Sequence, residues 1–201
     1  MVNKPPMGGD KMPGENPPFP VHIHLQAFPL ALIIGFLPAG CVSKPSGIEV
    51  VGNFNVDRYL GLWYEIARLD HSFERGLDNV TAQYSKRPGN GIDVLNRGYD
   101  AKERQWREAR GVAYFRQRED MGSLKVTFFP PFYGTYDIIA LDHENYEYSM
   151  VAGPGRRYLW LLSRTPTLHE DRLNALLELA RRHGFNTDAL IFVKHDKAHV
   201  K

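Results

Sequence analysis

Asn53-Phe54-Asn55-Val56-Asp57-Arg58-Tyr59-Leu60-Gly61-Leu62-Trp63-Tyr64-Glu65-Ile66-Ala67-Arg68 is the stretch on which the fold of this chain turns. Over residues 63–71 apolar and polar side chains alternate, the period-two pattern of a strand with one face buried. With Trp63 set inward, strict alternation carries Glu65, Ala67 and Leu69 to the same inner face. A carboxylate there needs a partner, so a tyrosine or arginine neighbour is expected for Glu65. Its expected role is a structural acceptor, because no second acid or base is set beside it by sequence.

Working outward, the same alternation recurs in short runs bounded by Gly, Pro, Asn and Asp. Residues 79–86 and 91–99 are joined by Arg87-Pro88-Gly89-Asn90, whose residue types suit a hairpin loop. Residues 105–116, 123–129, 135–142, 146–153 and 156–164 continue the series at regular spacing, which favours an antiparallel barrel or sandwich over a parallel α/β sheet. The period then changes. Between residues 168 and 183, Leu173, Leu176, Leu177 and Ala180 fall at helical spacing, Thr167 stands three residues before Glu170 as a cap, and Gly184 ends the run. Residues 190–193 read as a short last strand. The predicted fold is all-β: an eight-stranded antiparallel up-and-down barrel, one C-terminal α-helix packed outside it, and a short ninth strand.

Upstream of this domain the character of the chain differs. Residues 1–24 are rich in Pro and Gly with scattered charges, a composition expected to be disordered. The apolar stretch 25–37 is shorter than a membrane span and contains Pro29, so it reads as the hydrophobic region of a secretory signal. Ala39-Gly40-Cys41 follows and resembles the end of the bacterial lipobox, in which the cysteine becomes diacylglyceryl-modified, although Pro38 occupies the position where that motif usually carries Leu. An unmodified thiol in a linker is the alternative for Cys41. The resulting division is a leader over 1–40, a lipidated tether over 41–50 and the barrel over 51–201, with Val42 after the cysteine as in lipoproteins sorted to the outer membrane.

Composition narrows the function. The formal charge of +2 and the mixing of Arg104, Arg107, Arg110, Arg116 and Arg118 with Glu103, Glu108 and Glu119 describe a solvated strand face rather than a nucleic-acid surface. Cys41 is the only cysteine, so no intramolecular disulfide is available and the core must hold by packing. No metal site is expected: His22 and His24 adjoin the leader, and His195 with His199 is an incomplete set.

The opening stretch, with its helical turn leading into Gly61-Leu62-Trp63, resembles the first signature of the lipocalins. Leu162-Ser163-Arg164-Thr165-Pro166 resembles the third. The second survives only as Asp142 in Leu141-Asp142-His143. Tyr64-Glu65-Ile66-Ala67-Arg68, Phe73-Glu74-Arg75-Gly76-Leu77 and Phe129-Pro130-Pro131-Phe132-Tyr133-Gly134 look like the bacterial outer-membrane group, which is related to apolipoprotein D. The resemblance implies that Trp63 plugs the closed end of the barrel and that Arg164 lies over its indole. It also implies a non-catalytic binding protein for fatty acids or lysophospholipids, serving envelope lipid storage, transport or repair without a cofactor.

Alternation then nominates a ligand wall of Ala67, Leu69, Val80, Ala82, Tyr84, Val94, Asn96, Ala113, Phe115, Leu124, Val126, Phe128, Tyr136, Ile138, Met150, Tyr158 and Trp160, with Thr81, Gln83, Asp93 and Lys125 as outward markers. The aromatic run 128–133 is left with several roles: lining the mouth, meeting a membrane, contacting a second copy in a homodimer, or packing its own loop. An enzyme of lipid chemistry on the same barrel, or a solid-cored structural module, are the competing functions.

Overall fold

A computed structural model of the chain describes residues 47–197. The leader, Cys41 and His199 lie outside the described residues. A turn of helix, α1 (Val56–Tyr59), leads into β1 (Gly61–Leu69), followed by β2 (Leu77–Arg87), β3 (Gly91–Asp100), β4 (Gln105–Phe115), β5 (Ser123–Phe129), β6 (Phe132–Leu141), β7 (Tyr148–Ala152) and β8 (Leu159–Ser163). Helix α2 (Glu170–Arg182) and β9 (Leu190–Phe192) complete the described fold.

Each consecutive pair from β1 to β8 is antiparallel, and β8 pairs back onto β1, closing an eight-stranded barrel. The ninth strand lies outside that ring. Strand β2 follows β1 only along Gly61–Tyr64; beyond that point β9 takes its place beside Ala67, Arg68 and Leu69. The Asn79 N–H then donates to the Lys194 carbonyl at 2.8 Å, tying the segment after β9 to β2.

Two apolar cores lie on opposite faces of the wall. Inside the barrel Phe54, Tyr59, Trp63, Ile138, Val151 and Leu162 pack together. Outside, Ile66, Ala67, Leu69, Met150, Leu159 and Leu161 pack against Leu176, Ala180 and Phe185 of the helical segment. Burying a leucine such as Leu161 stabilises by about 1.5–3 kcal/mol, so the helix is held by its apolar stripe.

The helix starts later than its sequence suggests. His169 is its N-cap without a side-chain bond, and Thr167 does not cap it: the Thr167 carbonyl instead accepts from Thr165 Oγ1 at 2.6 Å. Its end follows expectation. Gly184 at φ +78° lets its N–H reach the Arg181 carbonyl and the Phe185 N–H reach that of Ala180, while the Phe185 side chain packs into the outer core. Packing also begins before residue 51. Ile48, which composition left in the tether, is 1% exposed within the outer core, because an isoleucine that meets apolar neighbours is buried whatever loop residues flank it.

Strict alternation fails in β1. Glu65 pairs with Leu162 and Ala67 with Leu161, so Ile66 is an extra residue against β8. A bulge of this kind reverses inside and outside beyond it.

Candidate functional site

The closed end is built around Trp63, which is fully buried. Gly61 suits its place because its φ is +97°, a conformation that strains an L side chain, and a Cβ there would also press on Arg164 Nη1 at 3.3 Å. The Arg164 guanidinium carbon lies 3.9 Å from the centre of the indole. Its N–H groups donate to the carbonyls of Tyr146, Leu62 and Arg58 at 3.2, 2.9 and 2.7 Å. Trp63 Nε1 donates to the Tyr59 carbonyl at 2.8 Å. Asp142 serves its loop by accepting the N–H groups of Glu144 and Glu147.

Above this floor lies a narrow cavity of about 100 Å³. Of the nominated wall, Val80, Ala82, Tyr84, Val94, Asn96, Ala113, Leu124, Val126, Phe128, Tyr136 and Trp160 line it. Six others do not. Ala67 and Leu69 lie in the outer core because the Ile66 bulge reverses their direction. Met150 joins them there, its neighbours Ser149 and Val151 being the ones turned inward. Ile138 belongs to the inner core but sits below the cavity against Gly122, and Phe115 packs edge-on to Phe54 at 6.2 Å. Tyr158 stands at the rim, stacked on Trp160 with ring centres 6.1 Å apart.

Other lining residues escaped the sequence. Phe54 and Tyr59 precede the first strand, and Phe73 and Glu74 come from a loop without periodicity. Thr81, read as outward, is also in the lining, between Val80 and Ala82. Ile92 and Leu162 follow the alternation of Val94 and Trp160 and were legible from it. Thr135 was not.

Three tyrosines meet low in the cavity. Tyr136 Oη lies 2.8 Å from Tyr59 Oη and 2.9 Å from Tyr84 Oη. Burial pushes the Tyr59 phenol up to about 12, and raises Tyr84 and Tyr136 as well, so all three are neutral near pH 7.

The open end carries a buried ionic group. Arg68 is 1% exposed; its Nη1 donates to Glu65 Oε1 at 2.7 Å and its Nη2 to the carbonyls of Glu74 and Leu77 at 2.8 and 3.1 Å. Arginine is thus the partner of Glu65. Glu74 Oε2 lies 2.9 Å from His71 Nε2 and accepts from Trp160 Nε1 at 3.1 Å. Burial lifts the Glu65 carboxyl well above its usual range, and nearby Glu74 adds to this, with Arg68 opposing. Burial acts on Glu74 too, but the contacts with His71, Trp160 and Arg68 outweigh it and hold that carboxylate below its usual range.

The loop between β5 and β6 presents Phe129 and Phe132 outward, 79% and 78% exposed, while Phe128 faces in. His195 Nε2 lies 2.8 Å from the Glu65 carbonyl. No group of three His, Cys, Asp or Glu side chains suited to a metal ion occurs among the described residues.

A lipocalin-like domain matches residues 54–195. The chain is 50% identical over 163 residues to outer membrane lipoprotein Blc of Vibrio cholerae, covering 81% of this chain and 95% of that protein. It is 31% identical over 158 residues to apolipoprotein D of Mus musculus, covering 75% and 79%. Insecticyanin from the tobacco hornworm Manduca sexta shares the fold, with a TM-score of 0.61 at 18% identity over 76% of this chain and 86% of that one. Half-identity along almost the whole of a bacterial relative goes beyond shared architecture, and the chain belongs to the lipocalin family, in its bacterial outer-membrane lipoprotein group, with apolipoprotein D a more distant relation.

Proposed function

We propose that the barrel is a non-catalytic carrier for a single acyl lipid, of fatty-acid or lysophospholipid type, in storage, transport or maintenance of the envelope. The observation that carries this reading is the deep cavity walled by Val80, Ala82, Val94, Ala113, Val126 and Phe128, which offers an acyl chain apolar contact along its length. The protein is an outer-membrane lipoprotein by membership of its group. In this proposal an acylated Cys41 is the anchor and the barrel stands on the periplasmic side. Ile48 follows Cys41 by seven residues, so the folded part stays within about 25 Å of the bilayer.

Intact-mass spectrometry of the protein extracted from membranes tests both halves. The expected result is a diacylglyceryl-sized addition on Cys41 and an acyl lipid retained under native conditions; an unmodified thiol refutes the anchor, and a barrel that neither retains nor takes up acyl lipid refutes the carrier. Glu65 and Glu74 side by side in the wall favour a second reading, an enzyme of lipid chemistry. Turnover of a bound lipid that ceases in Glu65→Gln would establish it.

A further inference from the structure

Phe129 and Phe132 face each other across the turn that joins β5 to β6, and they are 79% and 78% exposed, so their own loop gives them little to pack on. Phe73, between β1 and β2, is 59% exposed. The antiparallel order brings both loops to the open end, beside those between β3 and β4 and between β7 and β8. The rings of Phe73 and Tyr158 lie 6.4 Å apart across that rim. A single exposed phenylalanine needs no explanation, but three on one rim mark a surface that meets an apolar partner.

The same rim carries an excess of positive charge. Lys102, Arg104 and Arg157 are exposed and form no ion pair among the described residues. The acids Asp70 and Asp100 are already held by Arg75 and Arg107, and Glu74 is buried against His71. Glu103 is left to oppose the three cations. Apolar tips ringed by cations match the interface of an anionic bilayer, where the rings reach the acyl region and the cations the head groups. A second copy of the chain fits less well, because mouth against mouth sets these cations against their own like.

The tips also continue into the cavity. Phe128, one residue before Phe129, lines it, and Phe73 belongs to lining and rim at once. An acyl chain that leaves a bilayer along these rings stays in apolar contact throughout, whereas a passage through water exposes every methylene.

We propose that the open end docks on an anionic lipid surface, with Phe73, Phe129 and Phe132 in the acyl region and Arg104 and Arg157 on the head groups, and that lipid passes between bilayer and cavity through this contact. The passage rests on the carrier reading above; the docking does not.

The test uses the full-length, membrane-extracted protein anchored in phosphatidylcholine vesicles containing phosphatidylglycerol and lipids brominated along their acyl chains. A tryptophan added as Phe132→Trp is expected to be quenched by the bromine, whereas one added at the closed end as Pro88→Trp is not. Leaving out phosphatidylglycerol, or combining Arg104→Ser with Arg157→Ser, lowers the quenching by about threefold or more. An anchored Phe132→Trp protein that bromine does not quench overturns the docking, and so does a blue shift that follows protein density instead, which would mean that a second copy covers the rim. Passage is read with cis-parinaric acid added to the vesicles, as energy transfer from Trp160 in the cavity wall. Phe129→Ser with Phe132→Ser is expected to slow loading about tenfold and leave the final level unchanged. Loading at the original rate in that variant overturns the passage. If the unmodified protein never loads, the carrier reading falls and the passage with it, while the bromine result still decides the docking.

Discussion

At the closed end of the barrel one cation, Arg164, spans an indole and three backbone carbonyls, and every partner it has is electrically neutral. At the open end Arg68, Glu65, His71 and Glu74 bring ionisable groups together out of water, and the loop between β1 and β2 is fastened by their contacts. The first arrangement asks nothing of a proton. The second holds one carboxyl above its ordinary range and its neighbour below, so its strength depends on solution conditions. One barrel thus carries a rigid base beneath a titratable mouth.

Removing the buried cation is the severest way to break this contrast. Arg68→Met leaves Glu65 without its partner and the Glu74 and Leu77 carbonyls without their donor, and is expected to cost about 3–5 kcal/mol in denaturant unfolding. Arg164→Gln comes next, at about 2 kcal/mol in the same measurement, because three carbonyls near the surface lose a charged donor but regain access to water. Uptake of an acyl lipid should survive that change, since Arg164 lies outside the lining.

Acidity separates the ends more finely. The folded-state pKa of Glu74 is depressed, so its contribution is present above the ordinary carboxylate range and is lost as pH falls through the lowered value. That of Glu65 is raised, so its contribution is complete below the ordinary range and is lost as pH rises through the raised value. Melting temperature followed against pH should therefore fall less steeply on its acid limb in Glu74→Gln and less steeply on its alkaline limb in Glu65→Gln. Arg164→Gln should lower the whole curve without reshaping it. The smallest effect belongs to the exposed loop: Phe132→Ser should move unfolding by no more than about 0.5 kcal/mol, because its ring contributes little buried area.

What the chain disclosed beforehand follows the same division. The plug and its latch were readable because each rests on residue types that few positions tolerate: a glycine at positive φ, an indole, a guanidinium. The strands were readable because one buried face imposes period two on every run. Alternation also found most of the wall, but it counts residues and is blind to an inserted one. The extra residue at Ile66 therefore misplaced Ala67 and Leu69 together. The mouth was hidden for another reason. Phe73 and Glu74 reach the cavity from a loop, where direction is set by contacts such as those of Arg68 and Trp160. Of the two partner types expected for Glu65, arginine is the one realised, because the same bulge turns Arg68 back inward.

The divergence of β2 from β1 leaves a gap in the upper wall that only the latest strand fills, through Ala67 opposite Phe192 and Asn79 bonded to Lys194. In a chain synthesised from its N-terminus, the sealing strand is made after both sides of the gap. The two sides of the gap are present early, yet the seam stays unsealed until residues 190–194 have been delivered. A polypeptide ending before then would be an open-sided vessel, lacking the pairing that completes the container.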